Sequence, residues 1–284
     1  MKIVITGATG LVGRTLIPLL ADHHEIWAIT RGHSGAQVEA PNVHWITADL
    51  GAPALPRDLP ATADAVVHLA QSPHYRDFPA QALDIFNVNV ASTARLLDWS
   101  RPAGVRQFIL ASSGAVGSAA PASYYIASRR SAELLAANYA SCFGVLVVRF
   151  FFVYGHGQTS SMLVPRLIET IRSDGSVSLA GHDGPRLNPV HVDDAARAVA
   201  RAVDLGTTGQ IDVAGPEALT VRAMSDCIAA RVGRTPRFAI DASQQPQDLL
   251  GDTARMSVLL GAPRLSFADG VDRLVSALEK DGAK

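Results

Sequence analysis

Tyr125 and Arg129 are spaced so that a helix would place a phenol and a guanidinium on one face. Positive charge fixed beside a phenol favours phenolate, the property a proton donor and acceptor needs near neutral pH. Arginine stays cationic there and can donate to hydroxyls, but its larger fork cannot relay a proton by deprotonating. Upstream, Ser112-Ser113-Gly114 offers hydroxyls that could orient a substrate oxygen. On the plainer reading the serines form a turn and Tyr124-Tyr125 are packing residues.

A second constellation, Gly7-Ala8-Thr9-Gly10-Leu11-Val12-Gly13, follows an apolar run and opens an amphipathic one. Gly7 can make a tight turn, Gly10 can let backbone approach a pyrophosphate, and Gly13 can let the helix pack closely on the strand. The free N–H groups of the helix start, from Thr9 through Leu11 and Val12, would face the phosphates. The alternative is a glycine turn without a ligand. A dinucleotide is the reading that the strand and helix context supports.

The elements that must position these groups read as alternating strands and helices. Ile3–Ile5, Ile26–Ile29, Val43–Ile46, Ala65–Leu69, Phe108–Leu110 and Val145–Val148 are continuously apolar, as parallel strands covered on both faces are. Between them Leu11–Ala21, Asn87–Ser100 and Ser128–Tyr139 are amphipathic. The pattern predicts an α/β fold, a doubly wound parallel (Rossmann) sheet with a second, smaller mixed α/β substrate lobe. Residues 1–155 with 188–216 would form the dinucleotide-binding domain, and 156–187 with 217–284 the smaller lobe. In the latter part, helices are expected at Met162–Arg172, Val192–Val203, Val221–Val232 and Ala268–Lys280. Strands are expected at Val177–Ala180 and Ile211–Val213, the last as a further strand of the main sheet.

The 284 residues carry 25 Lys+Arg against 26 Asp+Glu, so no basic excess points to nucleic acid or a membrane surface. With 48% hydrophobic and 18% charged residues, the chain can bury a large core. Cys142 and Cys227 lack the spacing of a disulfide scaffold or metal site, and a reducing cytoplasm is the expectation. Met1–Gly7 reaches glycine too soon for a signal peptide.

The G-x-x-G-x-x-G spacing resembles the short-chain dehydrogenase/reductase superfamily, and specifically its extended branch, the NAD(P)-dependent epimerase/dehydratase family. Ala48-Asp49-Leu50, Val67-His68-Leu69-Ala70, Asn89-Val90-Ala91-Ser92-Thr93, Arg149 to Gly155 and Arg186 to Asp194 resemble further family segments in the same order. The resemblance implies cofactor contacts at Asp49 and Leu50 (adenine side) and at Leu69 and Ala70. It places the catalytic phenol at Tyr125, because Ser128 and Glu133 then fall in register with Tyr-x-x-Ser-Lys-x-x-x-Glu. Ser113 becomes the substrate-orienting hydroxyl, and Arg129 stands where the family has the lysine that binds the nicotinamide ribose. The two helices Asn87–Ser100 and Ser128–Tyr139 resemble those that build the family's dimers, so the resemblance allows a homodimer while the residues leave the oligomeric state open.

Departures from the family narrow the reading. The segment between Ser113 and Tyr125 is short, which reshapes the substrate pocket. Gly114-Ala115-Val116 lacks the carboxylate of the 4,6-dehydratases, and Phe152 stands where many nucleotide-sugar enzymes have Asn. The second strand ends Ile29-Thr30-Arg31-Gly32 without an acid for a 2′-hydroxyl. Arg31, assisted by Arg14, could instead pair with a 2′-phosphate, or Arg31 is a solvated loop charge. NADP is therefore the expected cofactor, with NAD possible. The expected activity is an NADPH-linked reductase of a small polar, sugar-like or nucleotide-sugar carbonyl, the substrate lying between the lobes. The alternatives are an epimerase that retains its cofactor and a non-catalytic NAD(P)-binding regulator. His191 with Asp193-Asp194 reads as a turn and helix cap, and no His/Cys/carboxylate cluster suggests a metal.

Overall fold

The computed structural model describes residues 1–32, 38–118 and 123–282. In chain order the elements begin with β1 (Lys2–Thr6), α1 (Leu11–Ala21), β2 (Glu25–Thr30), β3 (Val43–Thr47), β4 (Ala65–His68) and α2 (Ala82–Phe86). A π-helical turn (Asn87–Ala91) leads into α3 (Ser92–Ser100), followed by β5 (Gln107–Ser113), a 3-10 turn (Gly114–Gly117), α4 (Tyr124–Asn138) and β6 (Gly144–Phe150). Next come α5 (Leu163–Arg172), β7 (Ser176–Ala180), β8 (Arg186–Leu187), α6 (Val192–Ala202) and β9 (Gly209–Val213). The chain ends with β10 (Leu219–Thr220), α7 (Val221–Val232), β11 (Arg237–Asp241), α8 (Ala254–Leu259) and α9 (Phe267–Gly282).

Seven strands form one sheet in the order β3-β2-β1-β4-β5-β6-β9. The pairs from β3 through β5 run parallel. Successive residues Ile3, Val4 and Ile5 are all fully buried, as are Ala65, Val66 and Val67, so both faces of the sheet are covered. That is why these strands read as unbroken apolar runs. Chain order reverses direction between β1 and β4, and in open α/β sheets ligands bind beyond the carboxyl ends of the strands at such a point.

The chain divides into two compact units, Met1–Arg149 with Ala196–Ile211 and Phe150–Ala195 with Asp212–Lys284. The first has a core in which Val4, Ile29 and Val66 pack with Leu96, Leu97, Phe108 and Ala132. The second has its own core, where Leu167, Ile168 and Ile171 of α5 meet Met224 and Ile228 of α7 and Val271 and Leu274 of α9. It also holds the parallel pair β7–β11 and the antiparallel pair β8–β10. Among the described residues no helix is long and apolar enough to cross a membrane.

Two elements differ instructively from the sequence reading. Helix α4 begins at Tyr124 rather than Ser128, because the Ser123 hydroxyl accepts from the Ile126 N–H and caps it. Tyr125 therefore lies in the first turn, on regular helix with Arg129. The expected helix Asn87–Ser100 opens with the π turn, which continues α2 into α3.

Candidate functional site

The glycine turn is built as its spacing requires. Gly7 has φ +66°, and a Cβ there would come within 2.8 Å of the Ala70 nitrogen and 2.9 Å of the Leu69 carbonyl carbon. Leu69 and Ala70 are thereby brought against the turn, at the switch between β1 and β4. A Cβ on Gly13 would stand 2.3 Å from the Gly7 oxygen, so α1 can lie this close only with glycine. Gly10 caps α1 with no side-chain hydrogen bond, and the first turn of α1 holds no acid. Backbone N–H groups at this end are thus left for another acceptor, and the chemistry fits a pyrophosphate. The Thr9 hydroxyl meets that of Thr30 at 3.1 Å, tying the turn to the end of β2.

Arg31 is exposed immediately after β2, with no carboxylate at the strand tip. Burial lowers the guanidinium pKa of Arg14. Asp49 is exposed and accepts from the Gly51 N–H at 2.8 Å, while Leu50 is buried and its carbonyl accepts from Arg95 at 2.7 Å.

The Tyr125 hydroxyl donates to Gln71 Oε1 at 3.1 Å, and Arg129 Nη2 donates to the same oxygen at 2.7 Å. Arg129 is buried, with its Cζ 5.8 Å from the centroid of the Tyr125 ring. Its Nη1 donates to the Ala111 carbonyl at 3.3 Å, and its buried Nε has no partner among the described residues. Gln71 had no motif to announce it; the signal was a lone amide directly after the fourth strand's His-Leu-Ala. Ser113 ends β5, where its Oγ accepts from the Ala115 N–H at 3.3 Å, which leaves the hydroxyl proton to donate elsewhere. Beside it, Ser112 donates to Glu133 Oε1 at 2.5 Å, and Glu133 takes both Nε and Nη2 of Arg149 at 2.9 and 2.6 Å. Together with Arg129 to Ala111, the Ser112–Glu133 bond fastens the end of β5, which carries Ser113, to α4, which carries Tyr125. In the short segment between them, residues 119–122 lie outside the described residues.

Behind this cluster His68 is fully buried. Its Nδ1 meets Thr6 Oγ1 at 2.6 Å and its Nε2 meets Thr93 Oγ1 at 3.0 Å. Thr93 spends its own proton on the Asn89 carbonyl, so Nε2 carries the hydrogen and Nδ1 accepts from Thr6. Burial, reinforced by the positive charge of Arg129, lowers the imidazole pKa from 6.5 to about 3. Because the folded state favours the neutral ring, its stabilisation is complete above pH 6.5 and is lost as pH falls toward 3. We expect about 2 kcal/mol less stability at pH 5 than at pH 7 from this group. Urea unfolding of the wild type and of His68→Gln at both pH values tests it; equal losses in the two proteins would assign the effect elsewhere.

In the second unit the remaining family-like residues serve structure. His191 Nδ1 accepts from the Asp193 N–H at 3.2 Å, and the Asp194 carboxylate accepts from the Arg264 and Leu265 N–H groups at 3.0 and 2.9 Å. The turn at the start of α6 is thus held by His191, whereas the Asp194 carboxylate, read from the sequence as part of a helix cap, instead holds the backbone at 264–265. Tyr154 is buried with its ring edge-on to His191, and that burial raises its phenol pKa. Phe152 has φ +46°, a left-handed conformation that Asn tolerates and a bulky residue does not, which costs about 1–2 kcal/mol. The Asn-to-Phe departure thus changes backbone strain as well as polarity.

Residues 3–215 match the NAD dependent epimerase/dehydratase family. The dTDP-glucose 4,6-dehydratase of Streptomyces antibioticus is 28% identical over 322 residues, spanning 97% of this chain and 91% of its own. A dTDP-4-dehydro-6-deoxy-D-allose reductase from a Streptomyces species is 25% identical over 294 residues, spanning 91% and 90%. The solved UDP-glucuronic acid 4-epimerase of Bacillus cereus, in complex with UDP-glucuronic acid and NAD, shares the fold with a TM-score of 0.84 at 20% identity, 99% of each chain being covered. With that match over most of its length, the chain belongs to the NAD dependent epimerase/dehydratase family.

Proposed function

We propose that this enzyme is an NADPH-linked reductase of a sugar-like carbonyl, with a nucleotide-linked sugar the best-supported substrate class. The observation that carries the cofactor choice is the tip of β2, where Arg31 is exposed and no acid is present to meet a ribose 2′-hydroxyl. Gly7, Thr9, Gly10, Leu11, Val12 and Gly13 would hold the diphosphate, Arg31 the 2′-phosphate, and Asp49, Leu50, Leu69 and Ala70 the adenosine and ribose path. When bound, the reduced nicotinamide would supply a hydride, an electron pair with its hydrogen, to the carbonyl carbon.

The chain's own part is proton and position. Tyr125 donates its hydroxyl proton to the carbonyl oxygen as that oxygen gains negative charge. Ser113, whose Oγ is already oriented by the Ala115 N–H, donates a hydrogen bond to the same oxygen. Arg129 keeps a permanent positive charge near the phenolate that results, and donates to the nicotinamide ribose. The 3-10 turn Gly114–Gly117 carries no carboxylate, which argues against water elimination by a dehydratase route. The dTDP-sugar relatives support the nucleotide-sugar class. Exposed Leu83 and Phe86 of α2, with Leu134 and Leu135 of α4, support a homodimer. Cys142 and Cys227, both free thiols, support a reducing cytoplasm.

The test is to titrate the purified protein with NADPH and NADH, then follow NADPH consumption across a panel of nucleotide-linked keto-sugars. We expect at least about tenfold tighter NADPH binding, most of it lost in Arg31→Ala. A preference for NADH of that size would overturn the cofactor reading. Nicotinamide retained through purification would favour an epimerase instead, and binding without turnover across the panel a regulator.

A further inference from the structure

We propose that Gln71 is the positioning residue that sets the direction of the Tyr125 proton; the proposal rests on the reading of Tyr125 as acid and base. Arginine can only donate, so the amide atom 2.7 Å from Arg129 Nη2 is the oxygen. That oxygen can only accept, so the phenol 3.1 Å away must donate to it. The proton of Tyr125 is thereby committed to Gln71, and its lone pairs are left for an incoming donor. To protonate a substrate oxygen, Tyr125 exchanges one acceptor for another while Arg129 keeps the amide in place.

The site is built to hold this arrangement. The next residue, Ser72, donates its N–H to Asn89 Oδ1 at 2.9 Å, and its hydroxyl donates to Asp84. Asn89, fully buried in the π turn, donates Nδ2 to Ser128 Oγ at 2.9 Å, and Ser128 donates to the Tyr125 carbonyl at 2.7 Å. One buried amide therefore fixes both the chain beside Gln71 and the helical turn of Tyr125. A side-chain amide oxygen suits the place because it accepts from phenol and cation without cancelling the charge of Arg129. A carboxylate there would neutralise the guanidinium and hold the phenol protonated. Among the described residues, the other ionisable groups around this cluster include Tyr75, its ring centroid 5.2 Å from that of Tyr125, Arg76 over the Tyr75 ring, neutral His68 behind Arg129, and Asp84, which accepts from Ser72.

The experiment labels the five tyrosines with ¹³C at Cζ and follows their ionisation by NMR, with Tyr125→Phe assigning the signal. We expect Gln71→Glu to raise the Tyr125 midpoint by about one pH unit or more, and Gln71→Leu to lower it by about half a unit. The Tyr139 and Tyr154 signals, whose rings pack against Phe143 and His191 instead, should stay in place and report that the fold is intact. Should Gln71→Leu not fold, the near-isosteric Gln71→Glu decides alone. An unmoved Tyr125 midpoint, or movement of both variants in one direction, overturns the proposal. The acid/base reading fails separately, if Tyr125→Phe retains turnover while the Gln71 variants still shift the phenol.

Discussion

Tyr125→Phe should lower turnover in the proposed reduction of a sugar-like carbonyl by about 10²–10⁴-fold while leaving the affinity for the proposed NADPH unchanged. The substitution deletes one hydroxyl and keeps the ring, whose neighbours are the Tyr75 ring at 5.2 Å and the Arg129 guanidinium at 5.8 Å. Arg129 also retains Gln71 and the Ala111 carbonyl as acceptors, so the cation stays where it is. What is lost is the proton and its delivery at the moment the substrate oxygen becomes anionic. Steady-state kcat with a fluorescence titration of NADPH separates the two quantities. Turnover within about tenfold of the wild type would mean that another group supplies the proton.

Glu133→Ala is expected to destabilise the first unit by about 3–5 kcal/mol, because it removes a largely enclosed carboxylate that takes two donors of Arg149 and one of Ser112. The pair is bidentate, with side chains only 12% and 16% exposed, and the same carboxylate accepts from Ser112. The double change Glu133→Leu with Arg149→Met should recover most of the loss, since both members of the pair are then replaced by apolar groups of similar volume. Chemical denaturation of the three proteins gives the result, and a loss under about 1 kcal/mol in the single variant would refute it. A functional effect should accompany it. A Cβ on Gly117 would stand 2.8 Å from Arg149 Nη1, so the turn after Ser113 lies directly against this guanidinium. Loss of Glu133 would thus disturb the turn that follows Ser113, the hydroxyl proposed to orient the substrate.

The strands and most helices were legible because their signals are local. Unbroken apolar runs mark strands covered on both faces, and the Gly7-to-Gly13 spacing encodes a turn whose only tolerable side chain is hydrogen. Tyr125 and Arg129 were legible for the same reason, being neighbours on one helix. Gln71 was not, because its partners lie 54 and 58 positions away and only the pairing of β4 beside β5 brings them together. Glu133 served the sequence reading merely to fix the register, whereas its buried ion pair spans 16 positions and closes through β6. The strands β8, β10 and β11 were missed: two have only two residues, and β11 is mostly exposed, so no period could form.

The proton inventory of His68 has a diagnostic consequence. An imidazole that stays uncharged down to about pH 3 never contributes a second cation beside Arg129 under any condition in which the enzyme would be assayed. An acidic limb in a rate profile therefore does not report the protonation of His68, although this ring lies directly behind the Arg129 cluster.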